Sequence, residues 1–106
     1  MFTVDNRKIG PDHPPFIIAE MSGNHNQSLE RALEIVEAVA KTGVHALKIQ
    51  TYTPDTMTLD LDEREFYISD PNNLWTGKSL YKLYGEAYTP WEWHKPIFER
   101  ARELGI

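Results

Sequence analysis

An apolar run ends on a carboxylate at Phe16-Ile-Ile-Ala-Glu20, and a second run, His45-Ala-Leu-Lys-Ile-Gln50, carries an ammonium and an amide late. Glu20, Lys48 and Gln50 could therefore form one polar rim if the two runs are neighbouring strands. Two readings fit these residue types. Such a trio is able to bind an anion and handle charge and protons, which is active-site chemistry; equally, Glu20 and Lys48 can form an ordinary ion pair between strands. Asn24 and His25 follow the first run in the loop Ser22–Gln27, and Thr51 and Thr53 follow the second, where hydroxyls are able to bind and threonine is also a common strand-end residue. Short polar loop residues also hydrogen-bond their own backbone, so bracing competes with binding at Asn24 and His25. His13, His25, His45 and His94 show no HExxH-like spacing, and His45 stands at a strand start, so no complete metal site is expected.

These residues need strands to position them. Four consecutive apolar residues, Phe16 to Ala19, predict a strand buried on both faces, as in a parallel sheet. Before it, Phe2 to Ile9 reads as a hairpin turning at Asp5-Asn6, and Gly10 to Pro15 breaks regular structure. After the loop, Ser28 is a plausible N-cap. Leu29, Ala32, Leu33, Ile35, Val36, Val39 and Ala40 recur at three and four, which predicts an amphipathic helix closed by Gly43. The strand His45–Gln50 follows, and two strand-then-helix units argue for a parallel α/β sheet with right-handed crossovers.

Residues 51–88 form a long polar excursion, functional or locally folded, with a short helix at Ser79–Gly85. Thr89-Pro90-Trp91-Glu92 then predicts a helix start with Thr89 as N-cap and Glu92 completing a capping box. Tyr81, Tyr84, Tyr88, Trp91 and Trp93 make an aromatic cluster, readable as core filler or as a sugar platform. Asp60 to Glu65 reads as a solvated acidic surface. The second long helix ends in Gly105-Ile106, the same grammar that leads from Gly43 into a strand. Two parallel strands cannot cover a sheet, so the pattern implies the first portion of a larger βα barrel or sheet.

Bulk properties exclude several classes. With 106 residues, 41% hydrophobic and 25% charged, the chain is the size of one domain, and no apolar run reaches the ~18 residues of a membrane span. A net charge of −5 with scattered cations gives no footprint for nucleic acid. The absence of cysteine leaves no disulfide framework, and with no signal-peptide pattern the expected location is cytoplasmic.

The stretch IIAEMSGNHNQSLERALEIVEAVAKTGVHALKIQTYTPDTMT resembles the N-terminal region of the sialic acid synthase family, and LWTGKSLYKLYGEAYTPWEWH is most similar to its pseudaminic acid synthases. The resemblance implies a (β/α)8 TIM barrel, with residues 1–106 as its N-terminal portion preceded by the hairpin. It further implies a small antifreeze-like C-terminal domain in complete members, which act as homodimers. The implied reaction joins C3 of phosphoenolpyruvate to an open-chain amino-sugar aldehyde, adds water at C2 and releases phosphate. A divalent metal, Mn or Mg, activates the aldehyde through ligands from later strands.

On that resemblance Glu20 would stabilise cationic character at C2 or position the attacking water. Lys48 would meet the phosphate or carboxylate of phosphoenolpyruvate, and Gln50 a sugar hydroxyl or aldehyde oxygen. Asn24, His25, Thr51 and Thr53 would line the substrate pocket. Other readings remain open: a legionaminic or N-acetylneuraminic acid synthase, a class I aldolase forming a Schiff base on Lys48, or a non-catalytic barrel fragment.

Overall fold

A computed structural model describes the chain from Met1 to Ile106, apart from Leu74 and the side chain of Arg64. Strands β1 (Phe2–Val4) and β2 (Arg7–Ile9) pair antiparallel, with Phe2 opposite Ile9. Asp5 and Asn6, at φ 46° and 64°, make the two-residue connection, a left-handed pair that these short polar side chains tolerate.

The second sheet holds the candidate rim. Strand β3 (Ile18–Glu20) runs parallel to β4 (Ala46–Lys48), and their register sets Ile18 opposite Ala46, Ala19 opposite Leu47 and Glu20 opposite Lys48. Helix α1 (Leu29–Ala40) is the crossover between them. Its N-cap is Ser28, whose hydroxyl accepts from the Arg31 N–H at 3.2 Å, and Gly43 follows its end at φ 84°.

Two expectations about the strands are corrected. The first strand begins at Ile18, not Phe16, because the Ile17 N–H is donated to Nδ1 of His45 at 2.8 Å instead of to the ladder. Nor is it buried on both faces: Ile17 and Ile18 are 49% and 57% exposed. In a two-stranded sheet each strand has one open edge, and packing against α1 and α4 leaves these apolar side chains uncovered. Strand β4 is likewise shorter than 45–50, since the Gln50 carbonyl accepts from the Thr89 N–H at 2.8 Å.

The excursion after β4 is folded locally. A single turn, α2 (Pro54–Met57), starts after Thr53 and leads to a 3-10 turn at Arg64–Phe66 and to α3 (Leu80–Ala87), capped by the Ser79 hydroxyl on the Lys82 N–H at 3.2 Å. A second 3-10 turn, Trp91–Trp93, passes into α4 (His94–Leu104), which Gly105 closes at φ 86°. Thr89 is not the N-cap. Pro90 takes that place, its carbonyl accepting from Trp93 N–H at 3.1 Å, because the Thr89 side chain is turned into the protein and fully buried.

The core lies where α1 and α4 meet the sheet. Met21, Ala32, Val36 and Ile97 are buried together, with Leu33, Ile35, Leu47, Trp93 and Leu104 packed around them. At the rim of this contact Arg100 on α4 bonds Glu37 on α1 at 2.8 and 3.1 Å and Glu103 at 2.9 Å. Met21 is 1% exposed and directly follows Glu20, so the core begins where the polar rim ends. Met21→Ala is expected to cost about 2–5 kcal/mol, the usual range for emptying a packed core position, read as a lower urea midpoint at unchanged slope.

Candidate functional site

The strand register fixes the central feature. Glu20 and Lys48 are direct partners on adjacent parallel strands, and Lys48 Nζ lies 3.2 Å from Glu20 Oε2. Both lie at the carboxyl ends of their strands, the edge where βα folds build their sites. The pair is solvent-facing, with side chains 59% and 36% exposed, so it contributes only about 0–1 kcal/mol to stability. Structural pairing is present, and it does little for the fold.

Glu20 is held from a second side: its Oε1 accepts from the Ser22 N–H at 3.3 Å. That places the carboxylate under the control of the loop 21–28, whose geometry is unusual. Ser22, Asn26 and Gln27 all have left-handed backbones, at φ 51°, 50° and 56°. Such conformations cost about 1–3 kcal/mol each away from glycine, so the loop must be held by its surroundings.

Residues 86–89 do the holding. Gln27 donates from Nε2 to the carbonyls of Glu86 at 2.9 Å and Tyr88 at 2.7 Å. Gly23 lies so close to Ala87 that a Cβ there would sit 2.9 Å from the Ala87 Cβ and 3.2 Å from its Cα, and only glycine fits this approach. His25, fully buried, accepts from the Gln27 N–H on Nδ1 at 3.0 Å, presents Nε2 to the Thr89 hydroxyl at 3.3 Å and meets the Trp93 ring edge-on at 5.0 Å. Since Nδ1 is an acceptor, the proton belongs on Nε2 and the ring is neutral. Burial holds its pKa below the ordinary value, and the Ala87 carbonyl, which favours the proton, offsets this only in part.

The other expected site residues are placed as follows. Gln50 stands half-buried just beyond Lys48, its carbonyl tied to Thr89. The Thr51 hydroxyl shares a short hydrogen bond with Nε2 of His94, a ring packed between Trp91 and Phe98. Thr53 is exposed at the start of α2, its N–H bonded to the Thr56 hydroxyl at 3.1 Å. Asn24 is exposed and lines an open groove with Arg31, Glu34, Ile35 and Ala38 on the flank of α1. Glu20 and Lys48 thus share the strand-end rim, with Gln50 two residues beyond Lys48 along the chain, while His25 braces the loop from inside.

The aromatic residues do not form one platform. Tyr52 packs edge-on to Tyr84 at 5.4 Å and near Tyr88 at 6.3 Å, whereas Trp93 belongs to His25 and Trp91 to His94. A hydrogen bond to Asp55 raises the Tyr81 hydroxyl pKa, with burial adding to it. His45 lies at the opposite strand end, stacked on Phe16 at 5.1 Å. Among the described residues, no three His, Asp or Glu side chains come together as metal ligands.

Sequence reasoning missed Gln27 and misplaced Thr89. The only available signal was the polar loop itself, because a glutamine that reaches 59 and 61 residues along the chain leaves no local pattern.

Comparison with known proteins places this geometry. The NeuB family model matches residues 35–106. The chain belongs to the NeuB family. It is 52% identical over 95 residues to the pseudaminic acid synthase of Campylobacter jejuni, an alignment covering 90% of this chain and 27% of that protein. Against the pseudaminic acid synthase of Helicobacter pylori the identity is 47% over 93 residues, covering 88% and 27%. The crystal structure of the spore coat polysaccharide biosynthesis protein SpsE from Bacillus subtilis superposes with a TM-score of 0.63 at 30% identity, over 99% of this chain and 25% of that one. This NeuB-family chain therefore spans about a quarter of the length of the relatives it matches.

The neutral histidine gives a pH dependence whose sign is determined. A folded-state pKa below the unfolded 6.5 means that the unfolded chain binds more protons in that window, so stability is present above about pH 6.5 and is lost as pH falls through it. Thermal unfolding scanned from pH 7.5 to 5.5 should show a falling Tm, and His25→Ala, less stable throughout, should lose this part of the slope.

Proposed function

We propose that this NeuB-family chain is the N-terminal part of the (β/α)8 barrel of a phosphoenolpyruvate-dependent pseudaminic acid synthase, a cytoplasmic enzyme active as a homodimer. The substrate pair is phosphoenolpyruvate and the open-chain form of a 2,4-diacetamido-2,4,6-trideoxy hexose. One observation carries this reading: the Glu20–Lys48 pair stands at the carboxyl ends of adjacent parallel strands in a chain half identical to named pseudaminic acid synthases. Identities of 52% and 47% to those proteins, against 35% to the N,N'-diacetyllegionaminic acid synthase of Legionella pneumophila, favour the pseudaminic branch over the legionaminic one.

In this reaction C3 of phosphoenolpyruvate forms a bond to the sugar's aldehyde carbon, whose oxygen takes up a proton. Positive charge then develops at C2, water adds there with loss of a proton, and phosphate leaves as the C2–O bond breaks. Glu20 sets an anion beside that centre, where it steadies the charge and orients the water. Lys48 gives a compact cation for the phosphate or carboxylate of phosphoenolpyruvate. The carboxamide of Gln50 suits a sugar hydroxyl or the aldehyde oxygen, with the Thr51 and Thr53 hydroxyls beyond it and Asn24 on the loop. His25 serves the substrate pocket through the loop it supports. A divalent metal, Mn or Mg, would activate the aldehyde, with ligands supplied by later strands of the barrel.

The Schiff-base alternative finds less support in the geometry. Lys48 is paired to the Glu20 carboxylate at 3.2 Å, whereas a lysine nucleophile is activated by burial or a neighbouring cation.

The test is phosphate release from phosphoenolpyruvate by the full-length protein containing this chain, with Mn or Mg and each precursor sugar in turn. Release is expected with the 2,4-diacetamido altrose precursor, and Glu20→Gln should lower kcat by about 10²–10³-fold, the loss typical of removing one electrostatic stabiliser. No release with any sugar, or a borohydride-trapped pyruvate adduct on Lys48, would overturn the reading.

A further inference from the structure

We infer that Gln27 is a positioning residue for Glu20: its side chain clamps the loop 21–28 to residues 86–89 and so fixes the peptide that orients the Glu20 carboxylate. The inference rests on the synthase reading and adds to it a residue that touches no substrate.

The chain of contacts is continuous. The Gln27 amide spends both N–H donors on carbonyls that follow one another closely, Glu86 at 2.9 Å and Tyr88 at 2.7 Å, at the end of α3. Its own N–H is donated to Nδ1 of buried His25, so residue 27 is pinned through side chain and backbone together. From there the loop runs back through tight turns, Asn26 N–H to the Gly23 carbonyl at 3.2 Å and Asn24 N–H to the Met21 carbonyl at 3.1 Å, to Ser22, whose N–H reaches Glu20. Released from the clamp, the left-handed residues Ser22, Asn26 and Gln27 have commoner conformations to relax into, and the Ser22 N–H would leave the carboxylate. Lys48 would then hold Glu20 alone.

Gln27 is exposed and is not one of the core residues, which makes the idea separable from a folding effect. A structural surface glutamine changes stability and leaves catalysis alone. A positioning glutamine changes kcat, because Glu20 acts in the chemical step and not in the initial capture of phosphoenolpyruvate.

The decisive variants are Gln27→Glu, which keeps the shape but turns acceptor oxygens onto two carbonyls, and Gln27→Lys, which keeps donors at similar reach. In the full-length protein, Gln27→Glu is expected to lower kcat about tenfold or more with KM for phosphoenolpyruvate within about twofold, and Gln27→Lys to restore most of the loss. Amide hydrogen exchange over residues 22–27 should speed up in Gln27→Glu only. Unchanged kcat in Gln27→Glu, or equal losses in both variants, overturns the inference. Absence of phosphate release from the wild-type protein instead sinks the synthase reading and the catalytic role of Gln27 with it, a failure that the exchange measurement tells apart by showing whether the clamp itself holds the loop.

Discussion

A buried neutral histidine is the constraint on which the strand-end rim depends. His25 has a donor on one ring nitrogen and an acceptor on the other, and it uses both: Nδ1 takes the Gln27 N–H and Nε2 faces the Thr89 hydroxyl. Thr89 is in turn anchored by its N–H to the carbonyl of Gln50, just past the end of β4. One imidazole thus links the loop after β3, the residues after β4 and the entry to α4. No aliphatic side chain could satisfy these groups, and a charged imidazole would lose the acceptor that Gln27 needs.

Stability and function are drawn from different parts of this small structure. The packing that holds it is the contact of α1 and α4 around Val36, Ala32, Ile97 and Met21, with Arg100 bridging the two helices at the surface. The Glu20–Lys48 pair lies outside that core, half in water, where it adds little to stability. Charge kept at the end of a parallel strand, beside a loop with three left-handed residues, is consistent with the binding role proposed for Glu20.

The NeuB match covers residues 35–106, whereas Glu20 and its loop fall in the stretch shared with the named pseudaminic acid synthases through the longer alignments. Exposed Ile17 and Ile18, at the start of β3, follow from the extent of the sheet, since parallel strands are covered on both faces in the folds that use them and, among the described residues, the sheet holds β3 and β4.

Elements whose signals are local were legible in the sequence. The α1 stripe, the Ser28 cap, the short helix after residue 79, Gly43 and Gly105 at helix ends and the turn at Asp5-Asn6 each depend on neighbours within a few residues, and each took the expected place. The juxtaposition of Glu20 and Lys48 was legible as well, because strand polarity and a parallel crossover suffice to put strand ends together. Tertiary structure alone decided the rest. Thr89 matched every local rule for an N-cap, yet its hydroxyl went to His25, 64 residues away, because a buried imidazole left without a partner costs more than a lost cap. Gln27 gave no signal, since its partners are backbone carbonyls and a carbonyl has no sequence identity. The sequence by itself determined which residues bear charge at the strand ends. Only the folded contacts decided which residues hold that charge in place, because those contacts join segments whose spacing along the chain follows no local period.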